Sequence, residues 1–296
     1  MNTLEDRDWK GNTGGTPWMQ RMLVTWFRHS PLIVPYFCMV WILPFYMIKN
    51  PKGYRAIYRY FRKRHHYGKL KAFWSVYVNH FRFGQIIIDR FAMYAGKHFQ
   101  LETEGQELFD ELDHSDKGFI QLSSHVGNYE LAGYSLVPKQ KSFNALIFGG
   151  ETAQVMNGRR SMFLGKRIHM IPLSEDMSHV FLINKALSEG NIVSIPGDRV
   201  FGASRVVTCS FMDGKAGFPS GPFSMAVQRS VNMLAVFVMK TSIRKYRIYV
   251  RQLPAPTGTN KQDKIKELAQ AFANELENMI RMYPTQWFNY FDFWEE

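Results

Sequence analysis

The sequence predicts an α/β protein: a mixed central β-sheet flanked by helices, preceded by helices that associate with a membrane. Three observations predict it. From residue 99 onward, short apolar runs alternate with amphipathic helical stretches, as expected of a sheet layered with helices. Before that point the chain is rich in aromatic residues and holds an uncharged run of 17 residues. No internal repeat, low-complexity tract or long linker interrupts residues 99–296. The expected organisation is therefore a helical membrane-anchoring region over residues 1–98 and an α/β domain over residues 99–296.

The first element expected is "WMQRMLVTWFRH", which places Trp18, Met22 and Trp26 on one helical face with Arg21 and Arg28 elsewhere, the pattern of a helix lying in an interface. The uncharged run follows at residues 32–48, "LIVPYFCMVWILPFYMI". As a helix it would reach about 25 Å, just short of the hydrocarbon thickness of a bilayer. Pro35 and Pro44 would kink it, so a tilted span and a re-entrant anchor are both admitted. Lys49, Lys52, Arg55, Arg59, Arg62, Lys63 and Arg64 come next, an excess of positive charge of the kind found on the cytoplasmic side of a membrane. The interleaved "YRYFRKRHHYGKLK" also describes a single-stranded nucleic-acid groove, but beside an apolar run lipid headgroups are the better partner. No nucleic-acid-binding motif accompanies it, so nucleic acid is not expected as a partner.

Composition agrees with an anionic partner. With 37 Lys and Arg against 25 Asp and Glu the formal charge is +12, which suits a membrane surface, an acidic carrier protein or nucleic acid. Cys38 and Cys209 lie far apart and form neither a metal-ligand spacing nor a disulfide framework. A reducing compartment is the simpler setting.

In the second part, strands are expected at "GFIQLSS", "FNALIFG", "IHMIPL", "NIVSIPG", "VVTCSF", "MLAVFVMK" and "YRIYVRQL", and helices over 128–136, 177–188, 219–230 and 262–283. The chemistry gathers where the first of these strands ends, at "LSSHVGNYE". On one continuous helix His125 and Glu130 would be about 140° apart and could not cooperate. A turn is required. Gly127 tolerates the unusual backbone angle and Asn128 can cap the helix carrying Glu130, so the carboxylate could reach back to the imidazole. A carboxylate that holds one ring nitrogen protonated leaves the other able to take a proton from an attacking hydroxyl. The spacing alone also fits a structural histidine at a sheet edge; the strand's carboxyl end is where open α/β sheets bind ligands.

"SSHVGNYE" resembles the signature of the late acyltransferases of lipid A biosynthesis, a branch of the lysophospholipid acyltransferase superfamily, which reads H-x-G-N-W-E. Tyr129 stands where that family has Trp. "IVSIPGDR", "GFPSGPFSMA" and the terminal "YPTQWFNYFDFW" are similar to further family blocks, and the resemblance covers most of the chain. It implies a glycerolipid acyltransferase-like fold. It also implies transfer of an acyl chain from an acyl thioester, on acyl carrier protein or coenzyme A, to a hydroxyl of a lipid, with no cofactor beyond that co-substrate and no metal. His125 would be the general base and Glu130 its orienter. Backbone amides near Asn128 would stabilise the oxyanion. Asp198 and Arg199 would bind an acceptor phosphate or fix the site, Arg159 in an arginine-rich stretch would bind phosphate, and Ser220 would line the site or simply enter a helix. The implied location is the bacterial inner membrane, with the catalytic domain on the cytoplasmic face.

Other chemistries lack their residues. No G-x-S-x-G nucleophile elbow occurs, and no His or Cys pair has zinc-ligand spacing. The competing reading is a noncatalytic lipid- or nucleic-acid-binding protein that uses the basic aromatic N-terminal region.

Overall fold

The structure is a computed structural model that describes residues 17–131, 136–148, 167–174, 177–200 and 205–294. Four helices come first: α1 (Pro17–His29), α2 (Ile33–Lys49), α3 (Pro51–Arg59), which runs on as a π-helical turn (Tyr60–Arg64), and α4 (Lys69–Tyr94). Asn50 and Pro51 separate α2 from α3. Proline cannot continue a helix from the preceding residue but suits a first turn, and the Asn50 side chain accepts the Gly53 N–H at 3.1 Å. The result is a bend of 97° between Ile33–Lys49 and Pro51–Arg64. No single described helix is long and apolar enough to cross a membrane; the bent pair reaches that length and hydropathy only taken together.

One stripe of α2, Tyr36, Met39 and Leu43, is buried, and α2 packs along α4. The helices approach closely at Gly84, where an added Cβ would lie 2.0 Å from the Met39 sulfur. The other side of α2 is bare: Phe37, Trp41, Ile42, Phe45 and Ile48 are 62–77% exposed, and Leu70, Phe73 and Trp74 at the start of α4 are exposed as well.

Downstream come β1 (Gln100–Glu104), α5 (Gln106–His114), β2 (Phe119–Ser123), β3 (Phe143–Phe148), β4 (Ile168–Leu173), α6 (Ser178–Ser188) and β5 (Ile192–Pro196). They are followed by β6 (Val206–Phe211), β7 (Gly214–Pro219), α7 (Gly221–Arg229), β8 (Met233–Lys240), β9 (Lys245–Gln252) and α8 (Lys261–Met282). Seven strands form one sheet in the order β1-β9-β8-β2-β5-β3-β4. All neighbours are parallel except β8 and β9, so the expected mixed sheet is present. β2 and β8 are buried at every position, and β8 accordingly reads as a nearly unbroken apolar run, while β2 buries Gln121 and Ser123 among its apolar residues.

Two differences from the sequence expectation are instructive. "VVTCSF" is a strand, but it leaves the main sheet and pairs with β7 in a separate hairpin, turned at Met212 and Asp213, both with positive φ. β1 and β7 were not expected at all. "QLETE" is a polar edge strand, tied to β9 through Glu102 with Lys245 and Arg247 and through Glu104 with Arg251, while "GKAGFP" carries two glycines and a proline. Helices α6, α7 and α8 match expectation to within two residues. The helix expected over 128–136 is a 3-10 turn at Tyr129–Leu131, with residues 132–135 outside the described set.

Apolar clusters cover both faces of the sheet. One unites α3, α7, α8 and the chain end with Ile120 and Leu122, and the other packs Ile86, Phe109 and Phe119 against Leu234, Val236 and Ile248. The terminal aromatic run belongs to the first core: Trp287 is wholly buried, and the Trp294 indole N–H donates to the Phe211 carbonyl at 2.9 Å.

Where α2, α4, β8 and β9 meet lies a buried polar knot. Asp89 accepts from Lys240 Nζ at 2.5 Å and from the hydroxyls of Tyr36 and Tyr246, with the Lys240 and Asp89 side chains fully buried. Burial pushes the Asp89 carboxyl up and the Lys240 ammonium down, and each ion opposes the shift of the other. Removing one partner strands a buried charge. Lys240→Met should therefore cost about 3–5 kcal/mol in denaturant unfolding, and Asp89→Leu added to it should recover part of that loss. A cost for Lys240→Met no greater than a surface pair's, about 1 kcal/mol or less, would show the knot to be dispensable.

Candidate active site

The site follows from strand register. β2 and β5 are parallel neighbours with Ser123 opposite Pro196, and the Gly197 N–H donates to the Ser123 carbonyl at 2.8 Å just past the strands. Two residues beyond that pair stand His125 and Asp198. Asp198 Oδ1 lies 2.9 Å from His125 Nδ1, and Oδ2 accepts the His125 backbone N–H at 2.8 Å. The carboxylate thus fixes both the ring and the main chain that carries it. Its side chain is fully buried, whereas 31% of the His125 side chain remains exposed.

Electrostatics favour a neutral imidazole beside an ionised carboxylate. Burial, and next the Arg199 charge, push His125 below the ordinary histidine value against the pull of Asp198. Burial alone would raise Asp198, but His125 and Arg199 outweigh it and hold the carboxyl below the usual range. With a proton on Nδ1 facing Asp198, the lone pair lies on Nε2.

The loop after His125 is held from both sides. Gly127 has φ +59°, and a Cβ there would lie 2.0 Å from the Val238 carbonyl oxygen, so the position demands glycine. Its N–H donates to the Gln286 carbonyl at 2.8 Å, the Asn128 N–H to the Val238 carbonyl at 2.7 Å, and the Phe288 N–H to the His125 carbonyl at 3.0 Å. The Gln286 carboxamide in turn brackets the Lys240 backbone N–H and carbonyl at 2.9 and 2.8 Å. The loop that follows His125 is thus laced between β8 and the chain terminus.

Two expected site residues, Glu130 and Asn128, are placed differently from their sequence reading, while Ser220 takes the helix-entry alternative. The orienting contact at Nδ1 belongs to Asp198; Glu130 Oε1 pairs instead with Arg90 of α4 at 3.2 Å. The reason is local: Asn128 is tied to β8 and the chain then makes a tight 3-10 turn, which presents Glu130 to α4, while the β2–β5 register delivers Asp198 to the imidazole. The amides of Gly127 and Asn128, expected to receive an oxyanion, donate to main-chain carbonyls. The Asn128 carboxamide is buried and neighbours the Tyr246 hydroxyl of the polar knot. Ser220 precedes α7 without a side-chain cap; its N–H donates to the Arg205 carbonyl and its carbonyl accepts from Ser224.

Arg199 does lie beside the pair. Its guanidinium donates to the Asn289 carboxamide oxygen and to the Phe288 carbonyl, the latter at 3.1 Å, and lies 4.6 Å over the Phe291 ring. Arg159 and Arg160 lie outside the described residues. Sequence reasoning missed Arg90, which no local pattern marks, and the part played by Gln286, Phe288 and Asn289. The "PTQWFN" block was visible as a motif, yet its contact with a loop 160 residues earlier has no sequence signature.

Comparison with known proteins completes the picture. The sequence model described as "Bacterial lipid A biosynthesis acyltransferase" matches residues 83–294, which takes in the whole sheet, the His125–Asp198 pair and the terminal block. Among solved structures, the chain is similar to the 1-acyl-sn-glycerophosphate (LPA) acyltransferase PlsC from Thermotoga maritima, at 13% identity, covering 87% of this chain and 95% of that one with a TM-score of 0.36. No curated protein matches. With more than half of its length matched, including every described residue around His125, the chain belongs to the bacterial lipid A biosynthesis acyltransferase family.

Proposed function

We propose that this acyltransferase moves a fatty acyl chain from an acyl thioester, on acyl carrier protein or coenzyme A, to a hydroxyl of a membrane lipid. The observation that carries this reading is the His125–Asp198 pair at the carboxyl ends of two adjacent parallel strands. His125 Nε2 takes the proton of the acceptor hydroxyl as its oxygen attacks the thioester carbonyl. The tetrahedral intermediate collapses, the carbon–oxygen ester bond remains, the carbon–sulfur bond breaks, and the imidazolium returns its proton to the departing thiolate. Asp198 stabilises the transient imidazolium and keeps the ring oriented, as the acidic member of a hydrolytic triad does. Glu130 supports the site through Arg90.

The membrane assignment rests on the bare face of α2 and the start of α4. Its exposed side chains from Phe37 to Trp74 are aromatic or aliphatic, while Lys49, Lys52, Arg55, Lys69 and Lys71 flank them, the composition of a surface that sinks into one leaflet beside anionic headgroups. The 97° bend suits a helix that enters the leaflet and turns back. On this reading the enzyme works at the cytoplasmic face of the bacterial inner membrane, where thioester donors are available.

Thiol release from acyl-coenzyme A or acyl carrier protein in the presence of lipid tests the chemistry. His125→Ala should lower kcat about 10²–10⁴-fold, and Asp198→Asn should lower it strongly without displacing the protein from membranes. Because the neutral imidazole is the active form and its pKa is depressed, the rate should fall on acidification with a midpoint below about 6.5. Unchanged transfer in both variants would remove His125 and Asp198 from the chemistry, and no thiol release by the unsubstituted protein would leave a noncatalytic lipid-binding role. A separate measurement, flotation with vesicles, addresses the surface: Trp41→Ser with Phe45→Ser should weaken membrane partitioning at least about tenfold, each side chain being worth about 1.5–3 kcal/mol when buried. Undiminished flotation would remove α2 from the membrane contact.

A further inference from the structure

The end of the chain crosses both loops that carry the proposed reacting pair. Toward His125, Val126 and Trp287 form an antiparallel bridge, the Phe288 N–H donates to the His125 carbonyl at 3.0 Å, and the Gly127 N–H donates to the Gln286 carbonyl at 2.8 Å. Toward Asp198, the adjacent Arg199 docks on the next residues of the same segment. Its guanidinium donates to the Phe288 carbonyl at 3.1 Å and to the Asn289 carboxamide oxygen, and it lies 4.6 Å over the Phe291 ring. Phe288 therefore holds the His125 loop with its N–H and the Asp198 loop, through Arg199, with its carbonyl. Strand register brings the two loops together, and this segment splints them beyond the end of the sheet.

Asn289 supplies a side chain to the splint. It is 2% exposed, and both ends of its carboxamide are engaged: Oδ1 accepts from Arg199, and Nδ2 donates to the Phe291 carbonyl at 2.9 Å. The second bond closes a turn onto Phe291, whose ring lies against the guanidinium that the first bond holds. Aspartate has nearly the same shape but no donor, and would set an oxygen against the Phe291 carbonyl. The position therefore asks for a carboxamide. An arginine fork held by Asn289, Phe288 and Phe291 has little freedom left, and Asp198, next to it in the chain, shares that restraint.

We propose that Asn289 is a positioning residue for the reaction: by locking Arg199 to the chain terminus it holds the Asp198 carboxylate in register with the His125 ring. Its effect on rate rests on the acyl-transfer reading; its effect on His125 does not.

The full chain with Asn289→Ala, with Asn289→Asp and, as a control, with Trp294→Phe is assayed for thiol release, and the His125 imidazole is titrated by NMR in each. Asn289→Ala should lower kcat about 10–100-fold and change KM less than about threefold, because misalignment acts on the chemical step. Asn289→Asp keeps the acceptor and sets a negative charge on Arg199. Among the described residues Arg199 pushes the His125 midpoint down and Asp198 pulls it up, while Glu130 is paired with Arg90. Countering Arg199 should therefore raise the midpoint, by about 0.5, and move the acid limb of the rate profile with it. Trp294→Phe removes a bond between the same terminal segment and Phe211 of β6, and should leave kcat and the midpoint near those of the unsubstituted protein. Should Asn289→Ala fail to fold, Asn289→Asp carries the test through the midpoint. An equal loss of kcat in Trp294→Phe would reduce the effect to a loosened chain end and overturn the assignment. So would a rise in KM without a fall in kcat, or a midpoint that Asn289→Asp leaves unmoved. If the unsubstituted protein releases no thiol from any thioester while Asn289→Asp still raises the midpoint, the acyl-transfer reading fails and the positioning of His125 stands.

Discussion

Ser123 faces Pro196 across two parallel strands, and the position of every group proposed to react descends from that register. Side chains two residues past the pair leave the sheet together, so an imidazole and a carboxylate meet without any help from a flexible loop. A slip of one residue would turn both strands inside out and separate them. The register is enforced by burial, since every residue of β2 lies in the core and its neighbours on both sides are parallel strands that tolerate no exposed face. The geometry of the proposed catalytic pair is a by-product of packing.

The chain terminus and the N-terminal helices complete what the register begins. Gln286 receives the Gly127 amide with its main chain and grips Lys240 with its side chain, while Lys240 reaches Asp89 on α4. A continuous set of contacts therefore runs from α2, through Tyr36 and Asp89, to the strand that carries the Asn128 amide. Such a knot is expensive to bury and fixes one arrangement of three chain segments. It also means that the helices offering the apolar face and the loop holding His125 are parts of one packed body, as the proposed transfer to a membrane lipid would require.

Much of this was legible in the residues, and the gaps have physical causes. All seven expected strands exist, and the most buried of them, β8, announces itself by its apolar run. The strands missed, "QLETE" and "GKAGFP", are held by edge ion pairs and by hairpin pairing, neither of which has a periodic signal. His125 and Asp198 both stood out at strand ends, but which acid serves the histidine depends on strand order, and five residues of proximity in sequence favoured Glu130 over an aspartate 73 residues away. Arg90 and the Gln286 bracket were invisible because they belong to long-range packing. The terminal aromatics, compatible with a plug, a membrane contact or a core from sequence alone, are core, since Trp287 and its neighbours pack on Phe211, Phe218 and Tyr60.

The central claim is that Asp198, reached through strand register, fixes the tautomer of His125. Nitrogen-detected NMR of the ¹⁵N-labelled imidazole across a pH titration tests it most directly. The account predicts an Nδ1–H tautomer that titrates below the ordinary histidine value. It also predicts that Asp198→Asn alters both the tautomer and the midpoint, while Glu130→Gln leaves them nearly where they were. An Nε2–H tautomer in the unsubstituted protein, or a larger shift from Glu130→Gln than from Asp198→Asn, would contradict it.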